Sequence, residues 1–165
     1  MSTVKRRFIK EKEASQLLSE FFKKVKLSPR QLPAFEPPVE LAETNGEEIF
    51  FVDRQPLFAK VNNKLFPTLA VDKLLSKMVK VTVNMGAVPY ICNGADVMAP
   101  GIVDFEETFS KEDIVVVRDE RHQKPIAITI ALCSSEEAKK LERGKVLKNI
   151  HHVGDTLWKT IKQLS

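Results

Sequence analysis

Long apolar runs, clustered metal ligands and catalytic signatures are all missing from this chain of 165 residues. No apolar stretch approaches the roughly 18 residues of a membrane span. The start, MSTVKRRFIK, leads into an amphipathic pattern rather than the apolar centre of a signal peptide. The expected location is therefore cytoplasmic, with no membrane partner. Cysteine is scarce: Cys92 and Cys133 lie far apart in apolar runs, and neither has a Cys or His neighbour at metal-ligand spacing. They read as buried free thiols of a reducing compartment, with no metal expected. There is no P-loop, dinucleotide glycine motif, nucleophile elbow or HExxH. Carboxylates such as Asp53 and Asp96 stand alone, as caps or exposed strand residues do. Neither catalysis nor a cofactor is expected, and internal repeats and low-complexity segments are also absent.

What is present suits an ordinary globular core, at 43% hydrophobic residues, with a net charge of +4. The charge is unevenly spread. Residues 1–30 hold nine Lys and Arg against three Glu, a local +6 that leaves −2 for the remainder. Such asymmetry fits a positive face for phosphates, although solvated helix surfaces produce charge runs more often.

Arg7-Phe8-Ile9 reads as a short edge strand. Ala14, Leu17, Leu18, Phe21, Phe22 and Val25 then recur at three and four residues, an amphipathic helix whose apolar stripe faces a core. Pro29, Pro33, Pro37 and Pro38 end regular structure and make an ordered connector or a mobile linker. From Leu41 to Leu69 the pattern is strands and turns, with Asn45-Gly46 and Asn62-Asn63 as hairpin signals. Val71, Leu74, Leu75 and Met78 suggest a second helical stretch, and the domain boundary is expected between Lys73 and Lys77.

The segment Val79 to Gly101, VKVTVNMGAVPYICNGADVMAPG, changes period midway. Val79, Val81 and Val83 alternate with Lys80, Thr82 and Asn84, as in a strand with one buried face. Asn84 is a competent N-cap for a short helix through Val88, Tyr90 and Ile91, in which Pro89 is tolerated within the first turns. Asn93-Gly94 ends that helix, and Pro100-Gly101 has the residues of a type II turn. Turn chemistry alone is equally compatible with any strand-helix-strand corner of an α+β protein.

The remainder is mostly β. Ile114 to Val117 reads as a strand buried on both sides. After the charged tip Asp119 to Lys124, PIAITIALC sets Ile126, Ile128, Ile130 and Leu132 on one face, expected inside a tight barrel, and Ala127, Thr129, Ala131 and Cys133 on the other. Ser134 and Glu137 have capping-box spacing for a helix EEAKKLER ended by Gly144. Val146, Leu147 and Ile150 form a further strand, and Leu157, Trp158 and Ile161 a final short element.

Gly86-Ala87, Gly94-Ala95-Asp96-Val97-Met98 and Pro100-Gly101 resemble the signature of the PUA domain, an RNA-binding β-barrel. The end, GKVLKNIHHVGDTLW, and the segment NGEEIFFVDRQPLFAKVNNKLFPTL resemble the malignant T-cell-amplified sequence family, with its fungal translation-machinery-associated branch, and the chain looks like an archaeal-type homologue. The likeness covers about Asn45 to Trp158. Where the family commonly has Asp before the first Gly-Ala, this chain has Asn84, and residues 1–40 share only a basic strand-helix start.

The resemblance implies an α+β fold: a small N-terminal α+β domain (1–75) packed on a C-terminal PUA pseudo-β-barrel (76–155), with a tail (156–165). It also implies RNA recognition in translation, on small-subunit rRNA or the acceptor end of tRNA, alongside a separate initiation-type protein partner. A monomer is the expected state. Gly94, Ala95 and Gly101 lack bulk and would let backbone approach RNA, with Asp96, Met98 and Pro100 in the same signature. Lys145, Lys148, His151 and His152 on the terminal strand would contact phosphates. Two other roles stay open: an adaptor for the protein partner, and an RNA-specificity subunit of a modification enzyme. The residues outside the barrel, about 75, are too few for a typical catalytic domain of their own.

Overall fold

A computed structural model describes residues 4–31 and 35–165. Pro33, one of the connector prolines, and Met1–Thr3 of the basic start lie outside the described residues. The chain divides into two compact units, Met1–Ser76 and Lys77–Ser165.

The first unit is a five-stranded antiparallel meander, β1 (Lys5–Phe8), β2 (Val39–Thr44), β3 (Glu47–Val52), β4 (Gln55–Val61) and β5 (Lys64–Pro67), in sequence order. The edge strand expected at Arg7-Phe8-Ile9 is β1, at the edge of the sheet, though it runs Lys5–Phe8. Three two-residue connections join β2 to β5, and both residues of each have positive φ: Asn45 and Gly46 at 48° and 79°, Asp53 and Arg54 at 52° and 64°, Asn62 and Asn63 at 51° and 64°. These are the left-handed dihedrals that match the twist of a hairpin. Helix α1 (Glu11–Lys24) buries Ala14, Leu18, Phe21 and Phe22. Phe21 stacks on Phe58 of β4 at 4.4 Å, and Phe58 on Phe50 of β3 at 4.9 Å, so aromatic rings fill the layer between helix and sheet. The four-residue helix α2 (Asp72–Leu75) closes the unit.

The second unit holds a six-stranded mixed sheet curled into a half-barrel, built from β6 (Lys80–Val83), β7 (Val97–Met98), β8 (Ile102–Phe105), β9 (Ile114–Asp119), β10 (Pro125–Ala131) and β11 (Lys145–His152). Its order is β7-β11-β10-β9-β6-β8, and only β6 and β9 run parallel. Helices α3 (Val88–Ile91), α4 (Ser135–Lys139) and α5 (Thr156–Leu164) complete it. Val81, Val83, Ile91, Val97, Val115 and Val117 are among the residues of its apolar core.

Several local expectations are corrected. Thr82 in β6 is buried like its Val neighbours, because Arg118 Nε donates to its hydroxyl at 3.0 Å and satisfies the polar atom. In β10 the core takes Ile126 with the small Ala127 and Ala131, while Leu132 is 39% exposed. Register shifts between Pro125 and Ala127, and between Ile128 and Thr129, interrupt the two-residue alternation on which the sequence reading relied. Helix α4 does have Ser134 as its N-cap, with Glu137 N donating to Ser134 Oγ and that hydroxyl to Glu137 Oε1, both at 3.2 Å. It stops at Lys139, however, well before Gly144. The final short element expected at Leu157, Trp158 and Ile161, within the tail 156–165, is the helix α5, which buries Leu157 and Ile161 and is capped by Asp155.

Candidate functional site

The corner between β6 and β7 is held by backbone and carboxamide hydrogen bonds. Asn84 Oδ1 accepts from Ala87 N at 2.9 Å, and Asn84 N donates to Gly101 O at 2.9 Å, tying the start of α3 to the turn that precedes β8. At the other end of α3, Gly94 N donates to Ile91 O and Ala95 N to Tyr90 O, both at 3.0 Å. This is the Schellman arrangement, and it needs the left-handed φ of +97° that Gly94 supplies.

Gly101 acts differently from the sequence reading. Ala99–Gly101 is a single 3-10 turn rather than a type II turn, and Gly101 is not in the left-handed region. A Cβ there would lie 3.2 Å from Ala87 Cβ. Gly101 is thus small because α3 passes close by.

Helix α3, the Gly94 turn and the Ala99–Gly101 turn surround a concave pocket of about 640 Å³. Its wall is largely main chain and small side chains: Gly86, Ala87, Gly94, Ala95, Pro100 and Gly101. Two bulky groups stand over it, Tyr90 at 70% and Met98 at 44% exposure. An exposed aromatic ring beside close-approach backbone offers a stacking surface for a planar ligand.

Lys145 is the cation of the wall. Strand pairing of β7 with β11 puts it opposite Met98, and its Nζ lies 3.2 Å from Asp96 Oδ2. With the lysine side chain 62% exposed, this pair contributes little to stability, and an incoming anion can displace the carboxylate at small cost. Asp96 Oδ1 accepts from Asn149 N at 2.9 Å, and Asn149 Nδ2 donates to Ile91 O and Ala95 O, each at 3.0 Å.

Of the ten residues expected at an RNA contact, Gly94, Ala95, Asp96, Met98, Pro100, Gly101 and Lys145 line this pocket. Lys148 is exposed on β11 opposite Ile130 and is not part of the lining. His152 sits behind Gly94, its Nε2 3.5 Å from where a Cβ on that residue would lie, while Nδ1 donates to Val153 O at 2.9 Å. His151 is corrected: it is fully buried, with Nδ1 2.8 Å from Asp155 Oδ2, so it cannot reach RNA and serves the packing of α5. The sequence reading missed Tyr90, Asn84 and Asn149 as parts of the site. Tyr90 is the chain's one tyrosine, but a four-residue helix has no periodicity from which to infer that it faces outward.

Burial, and then the negative charge of Asp119, push the Cys92 thiol above its ordinary value, so it stays protonated at neutral pH. Asp119 itself is pushed up by burial, but backbone hydrogen bonds from His122 and Lys124 and the His122 charge outweigh this and hold it low. Among the described residues, no three His, Cys, Asp or Glu groups are placed to hold a metal ion, and no helix is long and apolar enough to cross a membrane.

Residues 79–153 match the family model of the PUA domain, and residues 5–77 that of a domain of unknown function, DUF1947. An uncharacterized protein of Methanocaldococcus jannaschii is 42% identical over 166 residues, covering 96% of this chain and 98% of its own. Translation machinery-associated protein 20 of Schizosaccharomyces pombe is 33% identical over 122 residues, 71% of this chain and 64% of the yeast protein. The match therefore spans just under two thirds of that protein's length. The crystal structure of a hypothetical protein from Pyrococcus horikoshii OT3 superposes with a TM-score of 0.80 at 32% identity, covering 95% of this chain and 99% of the other.

Proposed function

Since this chain belongs to the PUA domain family, with a DUF1947 domain ahead of the PUA domain, we propose that it is a non-catalytic RNA-binding protein of translation, acting on small-subunit rRNA or the acceptor end of tRNA. The pocket over α3 carries this reading. It combines main chain that RNA can approach closely, an exposed ring for stacking and one displaceable cation. Those are the ingredients for holding an unstacked nucleotide rather than a duplex. Translation enters through the relative of that name, and the protein works in the cytoplasm, as a monomer, beside an initiation-type protein partner.

Binding of small-subunit rRNA and tRNA to the full chain, titrated over salt, tests this. Affinity should fall steeply as salt rises, and Lys145→Gln should flatten the slope of log affinity against log salt by about 0.7, the value for one phosphate contact on a single strand. Lys148→Glu, outside the pocket lining, should change the slope less than a charge reversal within it. Absent or salt-insensitive binding by the wild type refutes the proposal.

A further inference from the structure

We infer that Asn149 is a positioning residue for RNA: it holds the wall of the pocket formed by Ile91 to Asp96 and touches no RNA itself. The inference rests on the RNA-binding reading above. Three hydrogen bonds from this one residue span the wall. The two carboxamide protons go to Ile91 O and Ala95 O, and the main-chain N–H goes to Asp96 Oδ1. Gly94, whose left-handed turn redirects the chain into β7, lies between the clasped points. Held this way, Ala95 and Asp96 face the pocket and Asp96 Oδ2 stays within reach of Lys145.

The strand is deformed at this place. Ile128 pairs with His151, and the next residue, Thr129, pairs with Asn149, which leaves Ile150 as an extra residue on β11. Such a bulge re-aims the neighbouring side chain, and here it brings the carboxamide onto the α3 to β7 segment. The cost is visible too: Asn149 Oδ1 is buried without a hydrogen-bond partner among the described residues. An apolar side chain of similar size would avoid that cost but leave two carbonyl oxygens without these donors. Aspartate has the same shape and no N–H to give, and would set a carboxylate against both carbonyls.

The test uses the full chain and its Asn149→Asp, Asn149→Ala and Asn149→Ser variants, each at a temperature where circular dichroism shows it folded. Fluorescently labelled short single-stranded RNAs of mixed sequence serve as the probe. Affinity should fall about tenfold for Asp and Ala and less for Ser, which keeps one donor. In the Ala and Ser variants, which add no charge, the slope of log affinity against log salt should stay at the wild-type value, because no phosphate contact is lost. Amide hydrogens of Gly94 and Ala95 should exchange faster in the Asp and Ala variants. Wild-type affinity in those variants, or a changed salt slope in the Ala variant, overturns the positioning role while leaving RNA binding intact. Failure of the wild type to bind any RNA removes both, and so separates the two readings.

Discussion

Truncating Tyr90 to alanine should separate binding from folding more cleanly than any other change in the pocket. The ring is 70% exposed, so little of its surface is buried by folding and its loss should leave the melting temperature close to that of the wild type. If a base stacks on it, alanine removes ~1–3 kcal/mol of binding free energy. That is a rise in Kd of roughly 5- to 150-fold at 25 °C. Tyr90→Phe keeps the ring and should stay within about twofold of the wild type, since a hydroxyl in water contributes little. Fluorescence anisotropy with labelled RNA reads the affinity, and circular dichroism reads the melt. A Tyr90→Ala protein with an unchanged melt and unchanged Kd would show that no base stacks there, and the pocket would lose its main recognition element.

Two further changes probe the frame of the site. Gly94→Ala should lower unfolding free energy by ~1–2 kcal/mol, because a Cβ is disfavoured at φ +97°, while the 3.5 Å approach to His152 Nε2 is ordinary contact; an unchanged urea midpoint would refute the left-handed turn. For Asp155, burial pushes its pKa up, yet the hydrogen bond and charge of His151 and the N–H groups of Trp158 and His152 outweigh burial and hold it below the ordinary range. A lowered folded-state pKa gives stability that is present above the unfolded value, near 4, and is lost as pH falls through the folded one. Asp155→Ala should therefore cost ~1–2 kcal/mol at pH 7 and progressively less as pH falls below about 4, as read from urea midpoints; a gap that does not narrow with acid contradicts the assigned cause.

Periodicity and turn chemistry revealed the parts of the fold that are decided locally. The spacing of Ala14, Leu18, Phe21 and Phe22 gave α1, and Asn45-Gly46 and Asn62-Asn63 gave two of the three tight hairpins. The third, Asp53-Arg54, escaped because arginine is not a residue of left-handed turns; the pairing of β3 with β4 imposes those dihedrals. Pro100-Gly101 misled for the opposite reason, since its type II preference yields to the close passage of Ala87. The PUA resemblance placed both histidines of β11 beside RNA, but the bulge at Ile150 and the burial of His151 against Asp155 are tertiary facts that no residue pattern announces. The glycines of the PUA-like motif did mark the segment that surrounds the pocket, and the family model over 79–153 bears out that resemblance. What they could not supply was Tyr90 and Asn149, whose roles depend on which way a short helix and a deformed strand face.

The most direct measurement is photocrosslinking of the full chain to 4-thiouridine-substituted small-subunit rRNA and tRNA, with the adducts mapped by mass spectrometry. An RNA interface in the pocket over α3 predicts adducts in peptides containing Tyr90, Met98 and Lys145. Adducts confined to residues 5–77, or the same yield in Tyr90→Ala as in the wild type, would contradict it.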